Sequence, residues 1–414
     1  SRKTIEELTL AVTTENAGRV AGLTGRTEDG SEIGLEMLLL PLAYAGHARI
    51  RALGVLVPYW SLYLQSVGFA PVDIGNLVAI LMFSRIVAPV AWGWIADHRE
   101  QRMAVVRLAS LLTVVAFSGV FFGASFWWLA AVMLLFSFFW HASLPLLEVF
   151  VMQHTAAQPG AYGRVRLWGS IGFIVAVLAL GPAIDAHGPW WILPSLLSLM
   201  LGIWLFSQIL PESEMKGTVK PAGRFRDALW QPGVFAFLLA CLLMQISHGP
   251  YYTFYSIYLE SHGYTKTVIG MLWAFAVLCE IGVFLLMQRL LTRVSLRAVL
   301  IASFFLATVR WLLIGHFPEN LLVLVLAQVL HAATFGSFHA TAMQLVHRFF
   351  RGKHQHRGQA VYGSLSFGIG GAVGSLYSGH AWATLGPTIT FNVAAVAAGL
   401  AFIVAWLLIP QDRS

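Results

Sequence analysis

Of 414 residues, 58% are hydrophobic and only 11% charged, against roughly 25% charged in an ordinary soluble domain; such a chain cannot cover itself with polar surface and reads as a polytopic membrane protein. The net charge of +7 does not point to nucleic acid, because Lys and Arg gather in the cytoplasmic loops of membrane proteins for topological reasons. Cys241 and Cys279 lie in apolar runs without CxxC or Cys/His ligand spacing and read as small core residues.

The first 51 residues stand apart. "SRKTIEELTLAVTTENAGRVAGLTGRTEDGSEIG" is polar, and "MLLLPLAYAGHARIR" imitates the apolar core of a signal peptide before placing His47, Arg49 and Arg51 where a first membrane helix should be apolar. We read residues 1–51 as extraneous or out-of-frame sequence, or else as a degraded first helix. A bilayer-crossing helix needs about 20 predominantly apolar residues. Twelve runs meet this, at 50–67, 73–96, 103–122, 127–151, 164–184, 189–210, 232–259, 267–290, 296–315, 320–344, 358–380 and 387–409.

Positive residues orient the runs. Loops after even-numbered runs carry Arg99, Arg102, Arg107, Lys216, Lys220, Arg224, Arg226, Arg289, Arg293, Arg297, Arg348, Arg351, Lys353 and Arg357, with Arg164 before the fifth; loops after odd-numbered runs carry Lys266. Fifteen against one places both termini and the linker at 211–231, "PESEMKGTVKPAGRFRDALWQ", in the cytoplasm. Arg164 is thereby a topology charge.

An internal repeat follows. "SLYLQSVGFAPVDIG" at 61–75 aligns on "SIYLESHGYTKTVIG" at 256–270 with seven of fifteen positions identical, an offset of 195, and "WGSIGF" from 168 aligns on "YGSLSF" from 362 at an offset of 194. The chain therefore divides into a six-helix bundle at 52–210, the linker, and a second bundle of the same sense at 232–410. Parallel repeats of this kind are a transporter arrangement, with the binding site between the halves near the midplane.

This all-α pattern of twelve membrane helices in two parallel-related halves resembles the major facilitator superfamily. "YGRVRLWGS", "PYYTFYSIYLESHGY", "TVRW", "QVLHAATFGSFHATAM" and "GQAVYGSLSFG" resemble its phenylpropionate permease branch, similar in plan to lactose permease. The resemblance implies a transporter of the bacterial inner membrane. After the second helix the superfamily signature survives in part: "GWIADHREQR" keeps Gly93, Asp97 and Arg102, with His98 and Glu100 where a basic residue and a glycine are usual.

Charges inside the spans carry the functional expectations, since burying one costs at least about 2.5 to 3.5 kcal/mol. Arg85, Glu148, Arg166, Glu280 and Arg310 lie well within. Glu148, before the turn between helices 4 and 5, and Arg166, after it, reach similar depth and are expected to pair. Glu280, Arg310 and His331 form a second mid-membrane cluster. The lactose permease plan implies substrate contact for the first pair and proton coupling and recognition for the second cluster. One departure matters: Thr334 stands where that plan has a carboxylate, so Glu280 is the first choice of proton carrier and Glu148 the second, with His331 and His339 as relays. Trp168 and Tyr252 are expected to line the cavity, and Arg85, Gly93 and Asp97 to serve structure and gating. His141 and His248 read as satisfied core histidines.

Three interior arginines against two interior glutamates leave one excess positive charge. This favours a small aromatic carboxylate such as 3-phenylpropionate, carried by alternating access in symport with protons. A neutral sugar or nucleoside is the alternative, since the Glu148 and Arg166 pair could equally bind hydroxyls. No GxxxxGK[ST] motif is present for ATP. An intramembrane metal enzyme on His331 and His339 lacks HExxH and any nearby carboxylate or cysteine to complete a shell. No cofactor is called for, and the working unit is read as a monomer in the lipid bilayer.

Overall fold

The computed structural model describes residues 52, 54–99, 102–155, 161–210 and 225–410, together with the pairs 25–26 and 32–33. In the N-terminal stretch β1 (Gly25–Arg26) pairs antiparallel with β2 (Glu32–Ile33). Twelve helices follow among the described residues: α1 (54–66), α2 (Pro71–Arg99), α3 (Arg102–Ser118), α4 (Phe126–Thr155), α5 (Ala161–His187), α6 (Ile192–Ser207), α7 (Pro232–Ser261), α8 (Lys266–Leu291), α9 (Leu296–His316), α10 (Leu321–Phe349), α11 (355–385) and α12 (Pro387–Leu408). A short helix, Phe225–Leu229, precedes α7. Ten of the twelve are long and apolar enough to cross a membrane. The exceptions are α1, with 13 residues described as helix, and α11, whose Gly- and Ser-rich sequence is less apolar.

Local signals set the boundaries. Thr265 accepts from Val268 N, Ser295 from Ala298 N, and Asn320 from Leu322 N and Val323 N, capping α8, α9 and α10. The repeat is visible in the turns: Gly68 and Gly263, 195 residues apart, have φ of 92° and 84°, and Gly188 and Gly386 have 93° and 85°. A side chain with Cβ rarely tolerates that left-handed region, so both halves keep glycine there.

Within the first half α4 packs on α2 and α3, and α3 on α6; within the second, α12 packs on α7 and α9, and α10 on α8 and α9. Two seams join the halves, α2 against α11 and α5 against α8. Small residues bring the backbones together there. A Cβ added at Gly75 would stand 2.7 Å from Ser375 O and 2.9 Å from Gly379 Cα, and one at Gly181 would stand 2.7 Å from Lys266 O. Outward-facing side chains are apolar: Trp127 and Leu322 are each 81% exposed. Exposed in water, each would forfeit about 1.5 to 3 kcal/mol; facing acyl chains, they belong.

Neither α10 nor α11 is a plain α-helix. Each contains a π-helical segment, Ala332–Ser337 and Gly363–Gly370, and α7 has a turn at His248. Such irregular backbone is tolerated at membrane depth where it is enclosed by protein, and π-bulges often sit at functional sites.

Candidate substrate and coupling site

The second half holds the densest polar cluster. On α7, Tyr251, Tyr255 and Tyr258 follow at i, i+4 and i+7 and share a buried face. On α10, Gln328 and His331 do the same at i and i+3. Arg310 of α9 reaches into the gap between them, fully buried. Its Nε donates to Ala327 O at 2.9 Å, Nη1 to Thr334 Oγ1 at 3.3 Å and Nη2 to Gln328 Oε1 at 3.4 Å. Its guanidinium also lies over the rings of Tyr251, 4.1 Å away, and Trp311, 4.6 Å away. Tyr251 OH donates to Gln328 Oε1 at 3.0 Å, and Gln328 Nε2 donates to Tyr255 OH. Three hydrogen bonds and two ring faces offset the cost of burying the charge. Arg310 is thus a strut tying α7, α9 and α10 together.

Beside the strut, Glu280 Oε2 stands 3.8 Å from His331 Nε2, both side chains nearly inaccessible. Gly336 makes room for the carboxylate: a Cβ there would lie 3.1 Å from Glu280 Cγ. His331 Nδ1 is buried without a hydrogen-bond partner among the described residues. The His331 ring stacks on Phe335 at 5.4 Å, Phe335 stacks on His339 at 6.2 Å, and His339 Nδ1 lies 3.4 Å from Tyr362 OH. Across the π-segment of α10 there therefore runs a continuous His-Phe-His column, Phe335 within the segment and His331 and His339 flanking it. The clustering of Glu280, Arg310 and His331 expected from sequence is present; the aromatic and amide partners Tyr251, Tyr255 and Gln328 were missed, although their i, i+3, i+4 spacing was legible. His141, with Nε2 3.2 Å from Leu81 O, is a satisfied core residue.

In the first half, Arg85 lies on α2 opposite the outward-facing Phe83 and Val87, about 200° round the helix at 100° per residue. Its guanidinium sits 5.6 Å from the centre of the Phe367 ring on α11, and Nη1 reaches Met82 Sδ at 3.9 Å. Tyr252 of α7 lies near it. No carboxylate among the described residues pairs with it. Tyr252 itself stacks on His248 at 5.7 Å and on Trp273 at 6.4 Å. Glu148 is half-buried on α4 and Trp168 on α5 is 55% exposed. Arg166 falls on α5, but its side chain, and hence its pairing with Glu148, lies outside the described residues; so does the side chain of Asp97. A Cβ added at Gly93 would meet nothing within 4 Å, so that glycine is not there for close packing.

The seams close at the end opposite the basic loops. Asp185, near the end of α5, accepts from Lys266 N and Thr267 N at 2.9 Å each and from Thr267 Oγ1 at 2.6 Å, capping α8 from the other half. Tyr59 OH donates to Val177 O at 2.9 Å and approaches Lys266 O at 3.4 Å. Nothing in the spacing of the sequence marked Asp185, because its partner is 82 residues away.

Two six-helix halves meeting at glycine-lined seams, with charged and aromatic groups enclosed near mid-membrane, define a secondary transporter integral to the membrane. Residues 50–393 match the MFS_1 like family, and the chain belongs to it, within the major facilitator superfamily. Residues 1–57 match a PAS domain, so the stretch that stands apart by composition resembles a different kind of domain. The chain is 28% identical over 359 residues to the "Probable 3-phenylpropionic acid transporter" of Escherichia coli (strain K12), covering 84% of this chain and 93% of that one. It is 26% identical over 335 residues to the "Maltose permease" of Geobacillus stearothermophilus, covering 80% and 84%. Among solved structures, the nucleoside transporter NupG superposes with a TM-score of 0.76 at 16% identity, covering 89% of this chain and 97% of that one. A bacterial homologue of the human lysosomal transporter Spinster, inward-facing and unoccupied, gives 0.69 at 14% identity, covering 92% and 99%. These are transporters, not enzymes.

Proposed function

We propose that the protein moves a small aromatic carboxylate of the 3-phenylpropionate kind together with a proton across a bacterial inner membrane, with its basic loops and both termini in the cytoplasm. Arg85 carries this reading. It is a permanent cation on the inner face of α2, between the halves, partly accessible, resting on the ring of Phe367 and unmatched by any carboxylate among the described residues. An unmatched cation in low dielectric favours an anion, and the neighbouring Phe367 and Tyr252 offer ring faces to an aromatic body. The Escherichia coli relative, described as a probable 3-phenylpropionic acid transporter, supports the same class.

Glu280 takes the proton. It is the carboxyl enclosed beside the strut, 3.8 Å from the His331 ring, and alternating access would open this position to one side of the membrane and then the other, so that it can take up a proton on one side and release it on the other. Counterflow in proteoliposomes tests the substrate class directly. Uptake of 3-phenylpropionate against a preloaded pool is expected, and Arg85→Gln should raise its apparent KM about tenfold or more, the worth of a charge-assisted hydrogen bond. Counterflow of maltose or uridine, with none of any carboxylate, would replace this reading with the neutral-substrate one.

A further inference from the structure

Away from the seams, at the basic end of the bundle, the outer surfaces of α9 and α12 enclose a groove of about 550 Å3. Its mouth is formed by Ser295, the cap of α9, and Arg297 in the first turn; its walls are Ile301, Phe305, Phe402 and Trp406. From Arg297 to Phe305 is eight residues, about 12 Å along a helix, so the groove runs from the membrane interface through most of one leaflet, whose hydrocarbon is about 15 Å deep. It opens outward: Phe305 and Trp406 are 54% and 56% exposed.

The mouth is electrically unbalanced. Arg297 Nη2 donates to Trp406 O at 2.5 Å, which holds the guanidinium 6.0 Å from the indole ring. Its Nε is buried and without a hydrogen-bond partner among the described residues. No carboxylate among the described residues faces it, and the stretch leading in, "RLLTRVSLR" at 289–297, adds Arg289 and Arg293 and no acid. With Nη2 anchored and Nε enclosed, Nη1, which has no hydrogen-bond partner among the described residues, is the donor left to meet a phosphodiester. An apolar channel beneath it suits an acyl chain.

We propose that this groove is a binding site for an anionic phospholipid, its phosphate on Arg297 and one acyl chain laid between α9 and α12 against Ile301, Phe305 and Phe402. The arginines of 289–297 select a net negative headgroup over a zwitterionic one, since each basic residue near a membrane surface favours anionic lipid by about fivefold. The site is independent of the transported substrate and of which side of the membrane the basic end faces.

Native mass spectrometry of the full chain, released from detergent micelles with phosphatidylglycerol or phosphatidylethanolamine added in turn, tests the proposal. The wild type should retain phosphatidylglycerol at least fivefold more than phosphatidylethanolamine. Arg297→Gln should lose about fivefold of that retention while Arg297→Lys keeps most of it. Ala302→Trp, which fills the groove and leaves every charge in place, should also release the lipid; it decides the matter if Arg297→Gln does not fold. Equal retention of the two lipids, or Arg297→Gln and Ala302→Trp both holding phosphatidylglycerol like the wild type, would overturn the proposal. Competition by inorganic phosphate as effective as competition by lipid would overturn it too, because the acyl groove would then contribute nothing.

Discussion

Asp185→Asn keeps the size of the side chain and removes its charge where α5 meets the first turn of α8. The carboxylate accepts three hydrogen bonds, from Lys266 N and Thr267 N at 2.9 Å and from Thr267 Oγ1 at 2.6 Å. The first-turn N–H groups of a helix have no partner within it and lie at the positive end of its dipole, so an anion there is favoured twice over. Asp185 is solvent-exposed, and screening cuts each bond to about 0.5 to 1 kcal/mol, roughly 2 kcal/mol for the three. The amide retains one carbonyl acceptor but turns its NH2 toward a donor, so about 1.4 kcal/mol is lost, a tenfold shift away from the closed arrangement of the seam. Spin labels at Ala186 and Ser261, exposed positions on opposite halves, report the shift by pulsed dipolar spectroscopy. The longer-distance population should rise about tenfold relative to the shorter one, and Thr267→Ala, which removes only the hydroxyl bond, should give a smaller rise in the same direction. Identical distance distributions in Asp185→Asn and the parent would show that the glycine packing at Gly75 and Gly181 closes this end without help from the carboxylate.

Glu280→Gln should abolish uphill accumulation while leaving exchange partly intact, because an amide holds the geometry but releases no proton; persistent accumulation would shift the carrier role to Glu148. Arg310→Lys should lower the melting temperature in detergent, since a point charge cannot reach Ala327 O, Thr334 Oγ1 and Gln328 Oε1 together, and a loss of about 3 kcal/mol or more is expected from breaking a buried charged network; an unchanged melting point would mean the strut is dispensable. Arg166→Lys should weaken transport sharply and Arg164→Lys hardly at all, and equal transport by the two would make both residues topology charges. Reporter fusions within 211–231 and 345–357 should read cytoplasmic and those near 186 or 318 periplasmic, with the reverse pattern refuting the orientation.

Much of the scaffold is legible along the chain because membranes simplify the code. A span must be apolar for about 20 residues whatever its neighbours do, so the runs at 103–122, 267–290 and 387–409 foreshadow α3, α8 and α12 within a few residues. Arg85, Glu148, Glu280 and Arg310 stand out against that background for the same reason: a charge in hydrocarbon needs a cause. Even the repeat shows twice, as identities between 61–75 and 256–270 and as paired left-handed glycines in the turns.

Partnership is another matter. Hydropathy ranks Arg85 and Arg310 alike, yet one is sealed among Tyr251, Trp311 and Gln328 while the other rests on Phe367 with its charge unmatched among the described residues. Asp185 reads as an ordinary residue at a helix end until the seam brings it onto α8, and the π-segment of α10, whose Phe335 stacks on the flanking His331 and His339, leaves no mark in the apolar pattern. Local composition and periodicity are properties of neighbours in the chain, and they suffice for where each helix starts, how long it runs and which end carries the positive charge. Which charge is neutralised, which stays unmatched among the described residues and where the two halves lock depend on contacts from 17 to more than 200 residues apart, and these exist only once the helices have packed.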